Sequence, residues 1–302
     1  MSWLAFALCG PILWAISVHL DKYLVERYFK DADVIVLLIF TALMGLVLMP
    51  IIAWFEPGVF RRDITSMVLM MLSGLFYMTG ITFYLRALQN HEASMVAPFF
   101  QSSPMFGYVL AYLVLGETLT PLQLLGGALI IGGVLSVSIG SGPKRERFRW
   151  QLAALMLCAG FVLSLSTLIF KAFALKDEFW ETAFWMFAGE ALFGFGFLCI
   201  GRYRRQFIGL CKTNGGALIA LNASNELINL GGGLANRYAL IFAPLAIVQA
   251  VGSTTTLFVF VIGVVLTLLF PAFSRENLSA REFAQKGVAA ILVAIGVTLV
   301  SR

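Results

Sequence analysis

An ionisable side chain inside a long apolar run is expensive to keep, so each one found there is a candidate for function. Glu190 stands near the centre of the run 184–198 with no other charge nearby. A carboxyl so placed is poorly solvated when charged and suits proton exchange, although a packing hydrogen bond would also account for it. The run 216–234 and the residues just beyond it are richer, with Asn222, Glu226, Asn229, Gly233, Asn236 and Arg237 at helical spacing. At about 100° per residue these fall within roughly one quadrant of a helix, or slightly more. Asn often serves as hydrogen-bonding glue between membrane helices. A carboxylate flanked by two Asn on one face is more than glue requires. Glu226 therefore joins Glu190 as a candidate proton-coupling group, and Asn222, Glu226 and Asn229 are candidate substrate contacts.

Ser73, Tyr77, Gly80 and Tyr84 share one face of the run 67–85. Tyr77 and Tyr84 are candidate substrate contacts, and Tyr84, near the end of the run, also fits an interfacial anchor. Lys22 and Lys171 close two other apolar runs. Snorkelling to the interface would explain either alone, but their matched positions make both candidates for binding substrate. His19 and Asp21 lie beside Lys22; Gln101 and Gln249 are isolated polar groups and weaker candidates. A His near a helix end is commonly an interface residue, although it titrates near neutral pH.

These residues need apolar elements to hold them, and the composition says which solvent those elements meet. Of 302 residues 60% are hydrophobic and 12% charged, with mean hydropathy +0.90. Ordinary globular domains carry about twice that charged fraction, so the expected class is an all-α membrane protein. A spanning helix needs about 20 mainly apolar residues, since backbone polar groups in lipid must be satisfied within the segment. Ten such runs are expected, at 3–20, 34–54, 67–85, 93–115, 121–139, 150–170, 180–200, 216–234, 244–270 and 282–300. Glu56-Pro57-Gly58, Thr120-Pro121, Gly142-Pro143 and Asn214-Gly215 read as breakers between them. The N-terminus lacks a basic leader and reads as a retained first helix. Cys9, Cys158, Cys199 and Cys211 show neither metal-ligand spacing nor a paired framework.

The halves look alike. Cys9 and Cys158, Ser17 and Ser166, and Lys22 and Lys171 each lie 149 positions apart. Gly80 and Gly232, Ala87 and Ala239, Val96 and Val248, and Phe106 and Phe258 each lie 152 apart. A near-constant offset across successive runs indicates an internal repeat. The densest charge run, Lys144-Arg145-Glu146-Arg147 and Arg149, sits between them. The expected organisation is a five-helix repeat over 1–142, a basic connecting loop over 143–149, and a second five-helix repeat over 150–302. An odd number of spans per repeat inverts the second half, a transporter architecture with its site at the repeat interface.

Ten spans as five plus five resembles the EamA-like transporters of the drug/metabolite transporter superfamily. The likeness rests on Leu13-Trp14-Ala15 followed by Lys22, on Gly116-Glu117-Thr118-Leu119-Thr120-Pro121, and on Gly127 and Gly133-Val134. The second half carries Arg275-Glu276-Asn277-Leu278-Ser279 where the first has Gly-Glu. The resemblance implies a multi-pass protein of the bacterial inner membrane. It implies a secondary carrier of small metabolites, commonly an exporter, driven by protons or by exchange.

No Walker A loop, dinucleotide fingerprint, nucleophile elbow or metal cluster occurs in the sequence. The expectation is therefore not an enzyme: no catalytic residues, no metal and no cofactor, with any transport secondary. The partners expected are a small polar or amphipathic substrate and membrane lipids, with a homodimer admitted. The net charge of +5 belongs to loops that set topology, not to a nucleic-acid surface. Two alternatives stand beside the carrier: a flippase for a lipid-linked substrate, and a membrane-embedded enzyme acting on one. About 15 of the 21 basic residues fall on one side and about 6 on the other. That asymmetry places the N-terminus outside, whereas the resemblance implies cytoplasmic termini.

Overall fold

The structure is a computed structural model that describes residues 2–28, 33–90, 102–139, 150–176, 178–269 and 280–300. The side chain of Lys22, Gln101 and the basic loop 143–149 lie outside the described residues. Eleven α-helices and one 3-10 turn are described, with no strand among the described residues. They are α1 (Ser2–Tyr28), α2 (Val34–Phe55), α3 (Ile64–Asn90), α4 (Ser103–Leu115), α5 (Pro121–Ile139) and α6 (Trp150–Ala174). The second half continues with α7 (Phe179–Leu198), α8 (Gly201–Ala239), α9 (Leu245–Gly252), α10 (Thr255–Leu269) and α11 (Ala280–Val300).

Local chemistry sets several ends. The Asp33 carboxylate accepts the Ile35 N–H at 3.1 Å and caps α2. Gly116 stops α4 in the left-handed region at φ 68°, a conformation that suits glycine. Four residues later Thr120 and Gln123 cap each other's backbone at 3.2 and 3.1 Å around Pro121, starting α5.

Two departures from the expected spans have physical causes. Asn214-Gly215 does not break the chain, because α8 runs through it for 39 residues. At 1.5 Å per residue α8 is about 58 Å long, nearly twice the ~30 Å hydrocarbon core. Its first turns carry Arg202, Arg204 and Arg205, and the chain bends by 100° between α7 and α8. The expected ninth run is likewise two helices, α9 and α10. Thr254 Oγ1 and Thr255 Oγ1 donate to the carbonyls of Val251 and Gly252, both at 2.7 Å. Ser253 Oγ donates to that of Gln249 at 3.2 Å. Three successive hydroxyls compete with the helical ladder there.

Among the described residues five stretches are long and apolar enough to cross a membrane, or six if the bent α7–α8 pair is one span. The described parts of α4, α5 and α11 are apolar but shorter.

Helix pairing runs across the halves. α1 packs on α8 and α3 on α6; α4 packs on α6 and α1 on α10; α2 meets α7 and α5 meets α11. Glycines set the closest approaches. A Cβ on Gly80 would meet Leu163 Cγ at 2.5 Å and the Ala159 carbonyl at 3.3 Å. A Cβ on Gly232 would meet the Gly10 carbonyl at 3.2 Å and Trp14 Nε1 at 3.1 Å, the positions 149 residues before Ala159 and Leu163. Between α3 and α7 a Cβ on Gly189 would lie 1.9 Å from the Met71 carbonyl oxygen, and one on Gly74 2.0 Å from that of Met186. These are backbone atoms and cannot give way separately. Gly189→Ala is expected to destabilise by about 1–3 kcal/mol in a thermal unfolding measurement. Gly132→Ala, with no atom within 4 Å of its added Cβ, should leave the midpoint nearly unchanged.

Candidate functional site

Helices from both halves line a cavity of about 370 Å³. α1 supplies Trp14, Ser17 and Asp21, α2 Thr41, and α3 Tyr77 and Tyr84. α8 supplies Glu226, Asn229, Gly233, Asn236 and Arg237, while Gln249, Ser253, Thr255 and Thr256 come from the broken α9–α10 segment. Helical periodicity explains the α8 contribution: residues 226, 229, 233 and 237 stack turn upon turn on one face.

The wall has an acidic and a basic region. Thr41 Oγ1 donates to Glu226 Oε1 at 2.6 Å. Glu226 is 2% exposed, and its Oε2 has no partner among the described residues. Asn225, fully buried, donates through Nδ2 to Asp21 Oδ1 at 2.7 Å and so joins α8 to α1. The Arg237 guanidinium sits over the Tyr77 ring at 5.0 Å and the Phe170 ring at 5.6 Å. Such contacts attract a cation through the ring quadrupole. Asn236 Nδ2 and Gln249 Oε1, also on the wall, are buried without partners among the described residues.

Of the residues singled out from sequence, the structure brings Tyr77, Tyr84, Glu226 and Asn229 together on this wall. Asn222 lies one turn before Glu226 but is buried off the wall, with its Oδ1 unpartnered among the described residues. Glu190 is buried beside the close α3–α7 contact and is not on the wall. Ser73, expected on a cavity face, instead exchanges hydrogen bonds with Ser166, donating to its carbonyl at 3.0 Å and accepting from its hydroxyl at 2.7 Å. His19 Nε2 is 3.0 Å from the Val259 carbonyl, on α10.

Lys171 is not brought to the cavity. It is 3% exposed, donates to the Ala243 carbonyl at 2.6 Å, and is ion-paired with Glu117. The other Glu117 oxygen accepts the Leu245 N–H at 2.9 Å, at the start of α9. One carboxylate thus ties the end of α4 to α6 and α9. A second ion-pair cluster joins Arg62, after α2, to Glu178 and Glu181 at the start of α7, with Arg62 to Glu178 at 2.6 Å. The Glu181 carboxylate that accepts from it holds the Arg62 guanidinium more firmly in its charged form.

Sequence reasoning passed over Thr41, Trp14, Ser17 and Ser253. Thr41 is a lone hydroxyl in an otherwise apolar helix and gives no signal until Glu226 is found opposite it. Arg237 did carry a signal, being the next turn of the α8 polar stripe.

Residues 1–139 match the model of the EamA-like transporter family. No curated protein matches this chain. Among solved structures 26 chains match. One, described only as "Crystal structure of protein", has a TM-score of 0.68 at 13% identity and covers 99% of this chain and 96% of that one. At that identity the likeness carries the fold alone.

The fold and the comparisons define a multi-pass helical membrane protein. Its residues 1–139, just under half of the chain, are similar to the EamA-like transporter family.

Proposed function

We propose that this protein is a secondary transporter moving a small polar or amphipathic metabolite across the bacterial inner membrane, as an exporter coupled to protons or to exchange. The observation that carries the reading is the cavity, walled by α1, α2 and α3 from one half and α8, α9 and α10 from the other. In transporters built from inverted repeats the substrate site lies at the repeat interface. The chain is read as ten spans in two inverted five-helix repeats. In support, exchanging the halves maps the α1–α8 contact onto α6–α3 and the α1–α10 contact onto α6–α4. The broken segment at Ser253 and Thr254 fits a site where irregular backbone lines a polar space. Tyr77, Tyr84, Asn229 and Glu226 are the proposed substrate contacts, and Glu226 the proposed coupling group. Glu190, off the wall, is assigned to packing.

The test is uptake into proteoliposomes of purified protein against a metabolite panel, with and without an imposed pH gradient. The reading predicts saturable, protein-dependent flux of at least one polar solute that rises with the gradient or with a trans-side exchange solute. Flux indistinguishable from protein-free liposomes across the panel would sink it.

A further inference from the structure

Arg237 is the only cation on the cavity wall among the described residues. Arginines inside membranes almost always pair with a carboxylate or with backbone carbonyls. This one does neither among the described residues: its contacts are the Tyr77 and Phe170 rings and the space above Gly233. A Cβ on Gly233 would lie 2.9 Å from the guanidinium Nη1, so the glycine is what lets the side chain fold back along α8. The ring contacts engage the positive charge but use none of the five N–H donors. The acids that face this region are Glu190, Glu226 and Asp21. None is in ion-pair contact with Arg237, and Asp21 and Glu226 are held by Asn225 and Thr41. Glu226 also lies eleven residues back on α8, about 16 Å along the axis at 1.5 Å per residue. No acid among the described residues thus occupies the guanidinium fork.

We infer that Arg237 is the anion-recognition residue of the cavity, and that the solute it takes carries an oxoanion, a carboxylate or a phosphate. The planar fork matches either group with two parallel hydrogen bonds. Trp14, Tyr77 and Tyr84 on the same wall suit an apolar or aromatic body attached to that group. This inference rests on reading the cavity as the substrate site.

The experiment follows unfolding of full-length protein in nanodiscs of zwitterionic lipid, titrated with benzoate, phenyl phosphate or neutral benzamide. The expected result is a saturable rise in midpoint with benzoate or phenyl phosphate, the better of the two naming the anion, and none with benzamide. Arg237→Gln should weaken the better anion at least ~10-fold, as loss of a charge-assisted pair implies, and Arg237→Lys should keep part of the affinity. Gly233→Val, which displaces the guanidinium without removing its charge, should also weaken it. That variant decides the matter if Arg237→Gln does not fold. Absence of anion binding to wild type, equal stabilisation by benzamide, or undiminished binding in Gly233→Val would overturn the inference. So would a pattern in which Arg237→Gln destabilises, Glu190→Gln restores stability, and anion binding is unaffected by either. Anion binding without flux in proteoliposomes would count against the transporter reading and leave the anion site standing.

Discussion

Glu117→Ala is expected to lower folding stability by about 3–5 kcal/mol, the range for removing one partner of a buried ion pair. Lys171 is 3% exposed and the Glu117 side chain 17%, so solvent screens the pair little. The substitution leaves the Lys171 ammonium with the Ala243 carbonyl as its remaining described partner. It also uncaps Leu245 N–H, where a carboxylate favours the positive end of the α9 dipole. Glu117→Gln can keep the cap but not the charge and should fall between alanine and wild type. Glu117→Leu combined with Lys171→Met should recover much of the loss, because a well-packed apolar pair of similar volume often matches a buried ion pair. Thermal or denaturant unfolding of the purified variants reads all three. A Glu117→Ala protein within 1 kcal/mol of wild type would mean that this pair does not hold α4, α6 and α9 together.

Glu226→Gln is expected to abolish pH-driven uptake while leaving solute exchange measurable. The amide keeps the shape of the carboxyl and can still accept from Thr41, which donates to Glu226 at 2.6 Å. It cannot take up or release a proton, so a cycle that moves a proton on this group stops. Exchange of one solute for another needs no net proton movement and should persist. Glu190→Gln should leave both activities close to wild type, because Glu190 is buried off the cavity wall. Wild-type dependence on the gradient in Glu226→Gln, in Glu190→Gln and in the double variant would remove proton coupling through either carboxyl.

Much of the helical framework is legible in the sequence, because apolar runs and turn chemistry act locally. The Gly116-to-Gln123 segment supplies a left-handed stop and a capping box within eight residues, and the start of α5 falls on Pro121 as expected. Non-local competition is what hides the rest. Asn214-Gly215 resembles a turn, yet a single glycine costs a helix only about 1 kcal/mol, and α8 passes through both residues. The α9–α10 break depends on three hydroxyls turning onto their own backbone, a choice that Ser and Thr in a helix need not make. Lys171 looks like a snorkelling cation until Glu117, far away in sequence, is found beside it. The α8 stripe is legible as a face, but which of its turns reach the cavity is decided by where α1, α2 and α3 pack. Asn222 and Asn229 share that face and meet different surroundings.

The central claim is that the cavity is a passage whose residues face each side of the membrane in turn. Sided accessibility of position 229 tests it most directly. Cys9, Cys158, Cys199 and Cys211, all free, are first replaced by alanine or serine, and Asn229→Cys is introduced. Sealed, oriented vesicles are then treated from either side with a membrane-impermeant thiol reagent, with and without a pH gradient or transported solute. The account predicts modification from both sides, with the ratio of the two rates shifting when gradient or solute is added. Labelling from one side only under every condition, at a rate that neither changes, would contradict it.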